Sequence, residues 1–292
     1  MSDRPDLIVV GDVMVDVSVE AGSLAAGGDV HGQVRFRPGG AGANAAVWAA
    51  CRGARVRLYG RVGDDLPGRF LAEAVGARGV EGRLTVDQAA RTGAMLVVHQ
   101  AGERSMVADR GANAALSPAD LPDRLEAGAV LVSGYLLFHP GSEQAARAAL
   151  ERADAPLVAV DAASWPLLEA FGVERFLEAT TRANLLLANE RESEVLSHGD
   201  RVTLEDRFVR VCRKRGADGA VLASQGKALA ARPDPVAHPL DPTGAGDAFD
   251  GVLLAALAEG AGDEEALRRA CDAGRTVVMS AETWPLPGER GS

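Results

Sequence analysis

The feature that most restricts the fold is an alternation of short apolar runs with segments of helical periodicity. "DLIVVGDVMVDV" reads as a strand, "ANAAVWAACRG" as a helix, "ARVRLYG" as a strand and "LPGRFLAEAVGARG" as a helix. Farther on, "AVLVSGYL", "PLVAVDA", "NLLLAN" and "GAVLAS" read as strands. "SEQAARAALERA", "TLEDRFVRVCRKRG", "AFDGVLLAALAEG" and "DEEALRRACDAGRTVVMS" read as helices. Strands separated by helices imply a mainly parallel sheet covered on both faces. Two places break the rhythm. Residues 17–37 alternate around a Gly-rich turn, and residues 92–110 read as a hairpin about "AGER". They predict a small β lid projecting over the carboxyl edge of the main sheet, within a single domain spanning 1–292.

Composition narrows the class. With 292 residues, 47% of them hydrophobic, the chain can bury a large core. No apolar run nears the roughly 20 residues of a membrane span, and "MSDRPDLIVVGD" lacks signal-peptide architecture. Cys51, Cys212 and Cys271 are odd in number and without CxxC spacing, which fits a reduced, cytoplasmic protein. The formal net charge of −10 argues against nucleic acid as a partner. The histidines form no metal-binding spacing.

Three motifs carry chemistry. In "DPTGAGDAFDG", Gly244, Ala245 and Gly246 precede Asp247 at the start of an apolar helix. First-turn N–H groups lack internal partners, and small residues let an anion approach them. Asp247 either complements the helix dipole or has a chemical role there. In "RPGGAGANAAVWAA", residues 40–45 formally satisfy GxGxxA. Pro38 stands where a dinucleotide fold would have a buried strand, and no GxxxxGK[ST] occurs. What remains is a Gly39-Gly40 joint leading to a helix whose first turn holds Asn44. In "LLLANERESEVL", Asn189 and Glu192 are either a reciprocal helix cap or a pair suited to the waters of Mg²⁺.

In this order and spacing, "GGAGANAA", "NERE" and "DPTGAGDAFDG" resemble the ribokinase-like (PfkB-type) carbohydrate kinase family, over nearly the whole chain. "GRVGDDLPG" and "RGANAALSPADL" add to the likeness. The resemblance implies a ribokinase-like three-layer α/β fold and ATP-dependent transfer of a phosphoryl group to a sugar hydroxyl. Asp247 would be the base, and the backbone of residues 244–247 the anion hole. Asp16 on the first strand, Gly40 and Asn44 would hold the sugar, joined by Asp12 and Tyr135. Asn189, Lys214, Gly216, Gly244 and Gly246 would face the nucleotide, with Lys214 standing where many members have Thr. Asn189 and Glu192 would order Mg²⁺ waters. Asp241 and Thr243 match positions that hold a monovalent cation in some relatives. "SAETWPLPGERGS" departs from the rest of that cation loop, which leaves K⁺ dependence open. Relatives often pair their lids, so a homodimer is expected. The alternatives are a nucleoside kinase of adenosine or pseudouridine type, and a non-catalytic relative that senses sugar or nucleotide.

Overall fold

The computed structural model describes residues 4–21, 27–100, 103–199, 202–280 and 282–285. In chain order the strands are β1 (Leu7–Val10), β2 (Met14–Glu20), β3 (Gln33–Gly39), β4 (Val56–Gly63), β5 (Val80–Asp87), β6 (Gly93–Gln100), β7 (Glu103–Asp109) and β8 (Leu125–Glu126). They continue as β9 (Ala129–Ser133), β10 (Ala153–Asp154), β11 (Leu157–Asp161), β12 (Leu185–Asn189), β13 (Arg210–Lys214), β14 (Ala220–Ser224) and β15 (Lys227–Ala231). The helices are α1 (Ala41–Cys51), α2 (Leu66–Ala77), α3 (Pro140–Arg152), α4 (Trp165–Phe171), α5 (Val173–Ala179), α6 (Glu190–Leu196), α7 (Ala245–Ala258) and α8 (Asp263–Val278).

Among the described residues the main sheet runs β15-β14-β13-β12-β11-β9-β1-β4-β5. It is parallel from β13 to β5, and β14 and β15 are antiparallel additions at one edge. β1 shows why helices cover both faces. Leu7 and Val9 join the core that contains α1, α7 and α8 residues, whereas Ile8 and Val10 join the core against α3, α5 and α6. Side chains alternate across a strand, so LIVV is buried on both sides. β8 and β10 form a separate two-stranded pair.

A second sheet, ordered β3-β2-β6-β7, stands beside the carboxyl end of β1. β2 pairs antiparallel with β3 and parallel with β6, and β6 returns antiparallel as β7. Both expected hairpins form. The Gly-rich turn residues 22–26 and the tip residues 101 and 102 lie outside the described residues.

Two expectations are corrected. "DLIVVGDVMVDV" is two strands, because the chain leaves the main sheet after Val10 and enters the small sheet at Met14. A Cβ on Gly11 would stand 2.8 Å from Gly42 Cα, so α1 presses against this break. Asp16 therefore sits on β2 of the small sheet and not on the first strand of the fold. "TLEDRFVRVCRKRG" is a 3₁₀ turn, Leu204–Asp206, followed by strand β13. Its helical spacing is overridden by the sheet: Val211 and Cys212 are buried, while Arg210 and Arg213 find Asp263 and Glu205 outside it.

Candidate active site

Three parallel strands, β11, β12 and β13, end in Asp161, Asn189 and Lys214, all pointing toward the first turn of α7. Carboxyl ends of parallel strands are where such sheets place ligands. Pro242 to Ala245 form the turn that launches α7, with the Ala245 N–H donating to the Pro242 carbonyl at 3.1 Å. Gly244, at φ 80° and ψ −2°, takes the left-handed position that a type II turn requires. This corrects one expectation about the anion hole. The Ala245 N–H is consumed by the turn, whereas Gly246 and Asp247 sit in the helical first turn, whose N–H groups have no intrahelical acceptor. A Cβ on Gly246 would come 3.6 Å from Lys214 Nζ, ordinary van der Waals contact, so this turn faces the ammonium.

Asp247 is half-buried. Its Oδ2 accepts a 2.8 Å hydrogen bond from Asn44 Nδ2. Burial pushes its carboxyl up to about 7; Asn44 and Lys214 oppose that rise, and Asp161 and Asp16 add to it. The bond from α1 to α7 depends on close helix packing. A Cβ on Gly251 would overlap the Ala45 carbonyl oxygen, so the glycine lets α1 lie against α7 with Asn44 level with Asp247.

On one side of Asp247 lies a cleft of about 530 Å³. Tyr135, Asp161, Asn189, Glu192, Lys214 and Gly216 line its polar part, and Pro235, Val236, Phe249 and Val278 an apolar part that also meets Asp234 and Arg275. Lys214 Nζ donates to Asp250 Oδ2 at 2.7 Å and to Asp161 Oδ1 at 3.3 Å. Burial works against its charge, yet Asp161, Asp250 and Glu192 hold its pKa well above the usual lysine value. Lys214 is thus a neutralised charge here and not a bare one. Asp161 and Asp250 are the partners that sequence reasoning missed. An aspartate closing a buried strand, and a second one a helical turn after Asp247, were the available signals.

Asn189 and Glu192 form the reciprocal cap. Asn189 Oδ1 accepts from the Glu192 N–H at 2.9 Å, and the Asn189 N–H and Nδ2 donate to Glu192 Oε2 and Oε1 at 2.8 and 2.7 Å. Burial first, then Asp161, raises the Glu192 carboxyl above its usual range. No group of three or more His, Cys, Asp or Glu side chains able to hold a metal occurs among the described residues. The Tyr135 hydroxyl is driven above its ordinary value by burial, then by Asp247 and Asp161. Tyr135 therefore belongs to the Lys214 side of Asp247 more than to the Asp16 side where the sequence grouped it.

On the other side, Asp16 lies under the small sheet. Burial pushes its carboxyl up to about 6, with Arg37 opposing and Asp241 adding. Gly39 has no room for a Cβ beside this carboxylate, and Gly40, at φ 95°, caps α1 with equally little room against the Asp12 carbonyl. Asp12 is committed to an ion pair, its Oδ1 accepting from Arg110 Nη2 at 2.6 Å. Asn44 is nearly spent, because Trp284 Nε1 donates to its Oδ1 at 2.7 Å and its Nδ2 serves Asp247. Both residues have less to offer a substrate than the sequence suggested. Asp241 Oδ1 accepts from the Thr243 N–H at 2.9 Å and its hydroxyl at 2.6 Å, bracing the turn before α7.

The fold and its cleft are those of an ATP-dependent phosphotransferase that uses an alcohol group as acceptor. The chain belongs to the pfkB family of carbohydrate kinases, whose model matches residues 4–286. It is 29% identical to a ribokinase of Bacillus subtilis over 285 residues, 94% of this chain and 93% of that one. Its fold matches the adenosine kinase of Sinorhizobium meliloti with a TM-score of 0.87 at 21% identity, covering 98% of both chains. It also matches the Arabidopsis thaliana ribokinase solved with ribose and ATP, with a TM-score of 0.76, 26% identity and coverage of 98% and 97%. The chain is a kinase of a sugar or a nucleoside. Among the described residues no helix is long and apolar enough to cross a membrane.

Proposed function

We propose that this enzyme transfers the γ-phosphoryl group of ATP to a hydroxyl of a neutral polyhydroxy sugar, with Asp247 as the base. The observation that carries the reading is the position of Asp247. It sits at the first turn of α7, between the cleft holding Lys214 and the side holding Asp16, with a carboxyl near 7. A base poised near the working pH takes a proton most effectively. The N–H groups of Gly246 and Asp247 supply preorganised donors for charge on the transferring group. The apolar lining of the cleft, Pro235, Val236, Phe249 and Val278, suits a purine base, and the lining around Lys214 suits phosphates.

Asp16 supplies an acceptor for sugar hydroxyls and Asn44 at most one amide hydrogen. Three arginines near the small sheet are already engaged: Arg35 with Gln33 at 2.6 Å, Arg37 with Glu282 at 3.2 Å and Arg110 with Asp12. That occupancy favours a free sugar over a sugar phosphate. Magnesium would be held beside Lys214 through its waters, not by a direct cluster of side chains among the described residues. Four carboxylates, Asp161, Glu192, Asp247 and Asp250, surround one ammonium, and Asp250 Oδ1 is buried without a hydrogen-bond partner. Asn189 and Glu192, each with lone pairs beyond their mutual bonds, would hold the waters of Mg²⁺, which neutralises phosphate charge when bound.

The test is ADP release measured against free sugars, sugar phosphates, keto-deoxy acids and nucleosides, with the phosphorylated product identified. Release that depends on a free polyhydroxy sugar is expected. A clear preference for a sugar phosphate or a nucleoside overturns the substrate assignment. ATP turnover indifferent to every acceptor overturns the kinase reaction itself.

A further inference from the structure

We propose that Trp284 is a positioning residue, its indole N–H fixing the Asn44 side-chain amide in the orientation that donates to Asp247. An indole nitrogen can only donate, so the atom 2.7 Å away must be the Asn44 carbonyl oxygen. That choice turns Nδ2 toward Asp247 Oδ2, 2.8 Å away. A flipped amide would set N–H against N–H at one end and oxygen against carboxylate at the other. Trp284 and Asn44 are each only 4% exposed, so water cannot repair either mismatch.

The segment carrying Trp284 is anchored from three directions. Trp48 Nε1 donates to the Thr283 carbonyl at 2.9 Å, and Arg78 Nε donates to the Pro285 carbonyl at 2.9 Å. The Arg78 guanidinium lies 5.9 Å from the Trp284 ring centre, and Arg37 reaches Glu282 at 3.2 Å. A Cβ on Gly244 would collide with the Thr283 methyl, so the segment also backs the turn that launches α7. The charged and titratable groups facing Asp247 are Asp161 from β11, Lys214 from β13, Asp16 from β2, Tyr135 after β9 and Asp250 on its own helix. Asn44 is the neutral donor among its partners, and an amide has two orientations until something selects one. Trp284 selects it.

The effect of this relay on rate rests on Asp247 being the base; the relay itself does not. The full-length protein labelled with ¹⁵N is titrated from pH 5 to 9, its indole N–H resonances assigned with Trp48→Phe and Trp165→Phe. The Trp284 resonance is expected to move with a midpoint near 7 and to stop moving in Asp247→Asn and in Asn44→Ala. A Trp284 resonance that stays flat while Asp247 titrates, or that still moves in Asn44→Ala, overturns the proposal. Trp284→Phe supplies the kinetic counterpart. The rate near pH 7 should fall by about 3–10-fold, the acid limb should move up by roughly half a pH unit, and the ATP KM should stay within ~2-fold. In an Asn44→Ala background the substitution should add nothing. An equal fall at every pH, or full additivity with Asn44→Ala, means a packing role alone. Should Trp284→Phe fail to fold, the wild-type spectra still decide. Should Asp247→Asn stay active while the resonance follows Asp247, the base assignment fails and the relay stands.

Discussion

Asp247 is held against its own preference for water, and that has a thermodynamic consequence. Its carboxyl is raised from 3.8 to about 7. Between those values the folded protein binds a proton that the unfolded chain has already released. Stability from this group is full below pH 3.8 and declines as pH rises through about 7. Asp247→Asn removes the charge, so its stability should match the wild type near pH 3.8 and exceed it at pH 8, by up to about 4 kcal/mol. Thermal melts at the two pH values check this; an equal difference at both would contradict the shift. Asp16 lies across the site with a carboxyl near 6. Asp16→Ala should raise the sugar KM by at least ~10-fold, because sugar hydroxyls lose their carboxylate acceptor. The ATP KM should hardly change, since the cleft that holds Lys214 does not include Asp16. Equal damage to both constants in steady-state kinetics would contradict the division of the site.

The contact between α1 and α7 decides whether Asn44 reaches Asp247. Gly251→Ala would press a methyl into the Ala45 carbonyl and drive the two helices apart. Overpacking of this kind costs roughly 1–3 kcal/mol, and a sub-ångström shift at Asn44 should also lower kcat by about 10-fold. Denaturant melts and kinetics on one preparation test both effects, and a stable variant with full activity would refute the helix-contact argument. These helices were legible in the sequence because "GAGANAAVWAA" and "GAGDAFDGVLLAALA" pair small residues with an apolar run. β13 was not, because Arg210, Arg213 and Lys214 give it helical charge spacing, and Arg210 and Lys214 find their partners far along the chain, at Asp263 and Asp250. The split between β1 and β2 was hidden for a similar reason. Nothing local in "VVGDVMVDV" records that Gly42 will press against Gly11. Asp247, Asn44 and Glu192 stand in motifs that could be read along the chain, whereas Asp161, Asp250 and Trp284 join them through contacts made across the fold. The capping box at Asn189 could be read locally, since both its partners lie within one turn.

At the scale of the whole molecule, the small sheet has one face that the described residues cover only in part, with Val17 packed against the main core and its neighbours exposed. Phe36, Val17, Leu96 and Val107 lie side by side across four strands, with Phe36 69% and Val107 64% exposed. A thin sheet with an apolar outer face favours pairing with a second copy, which is our reading of the assembly. Phe36→Asp should convert a dimer to a monomer in sedimentation velocity at micromolar concentration, and a wild-type monomer would refute the pairing. What unites the account is the proton that leaves the acceptor hydroxyl, and one rate measures it. Asp247→Asn keeps the size and shape of the side chain and its bond to Asn44 while removing the base. At saturating ATP and sugar the turnover of this variant should fall by about 10²–10⁴, with sugar affinity by calorimetry unchanged. A variant that keeps more than about a tenth of the wild-type turnover would contradict Asp247 as the base.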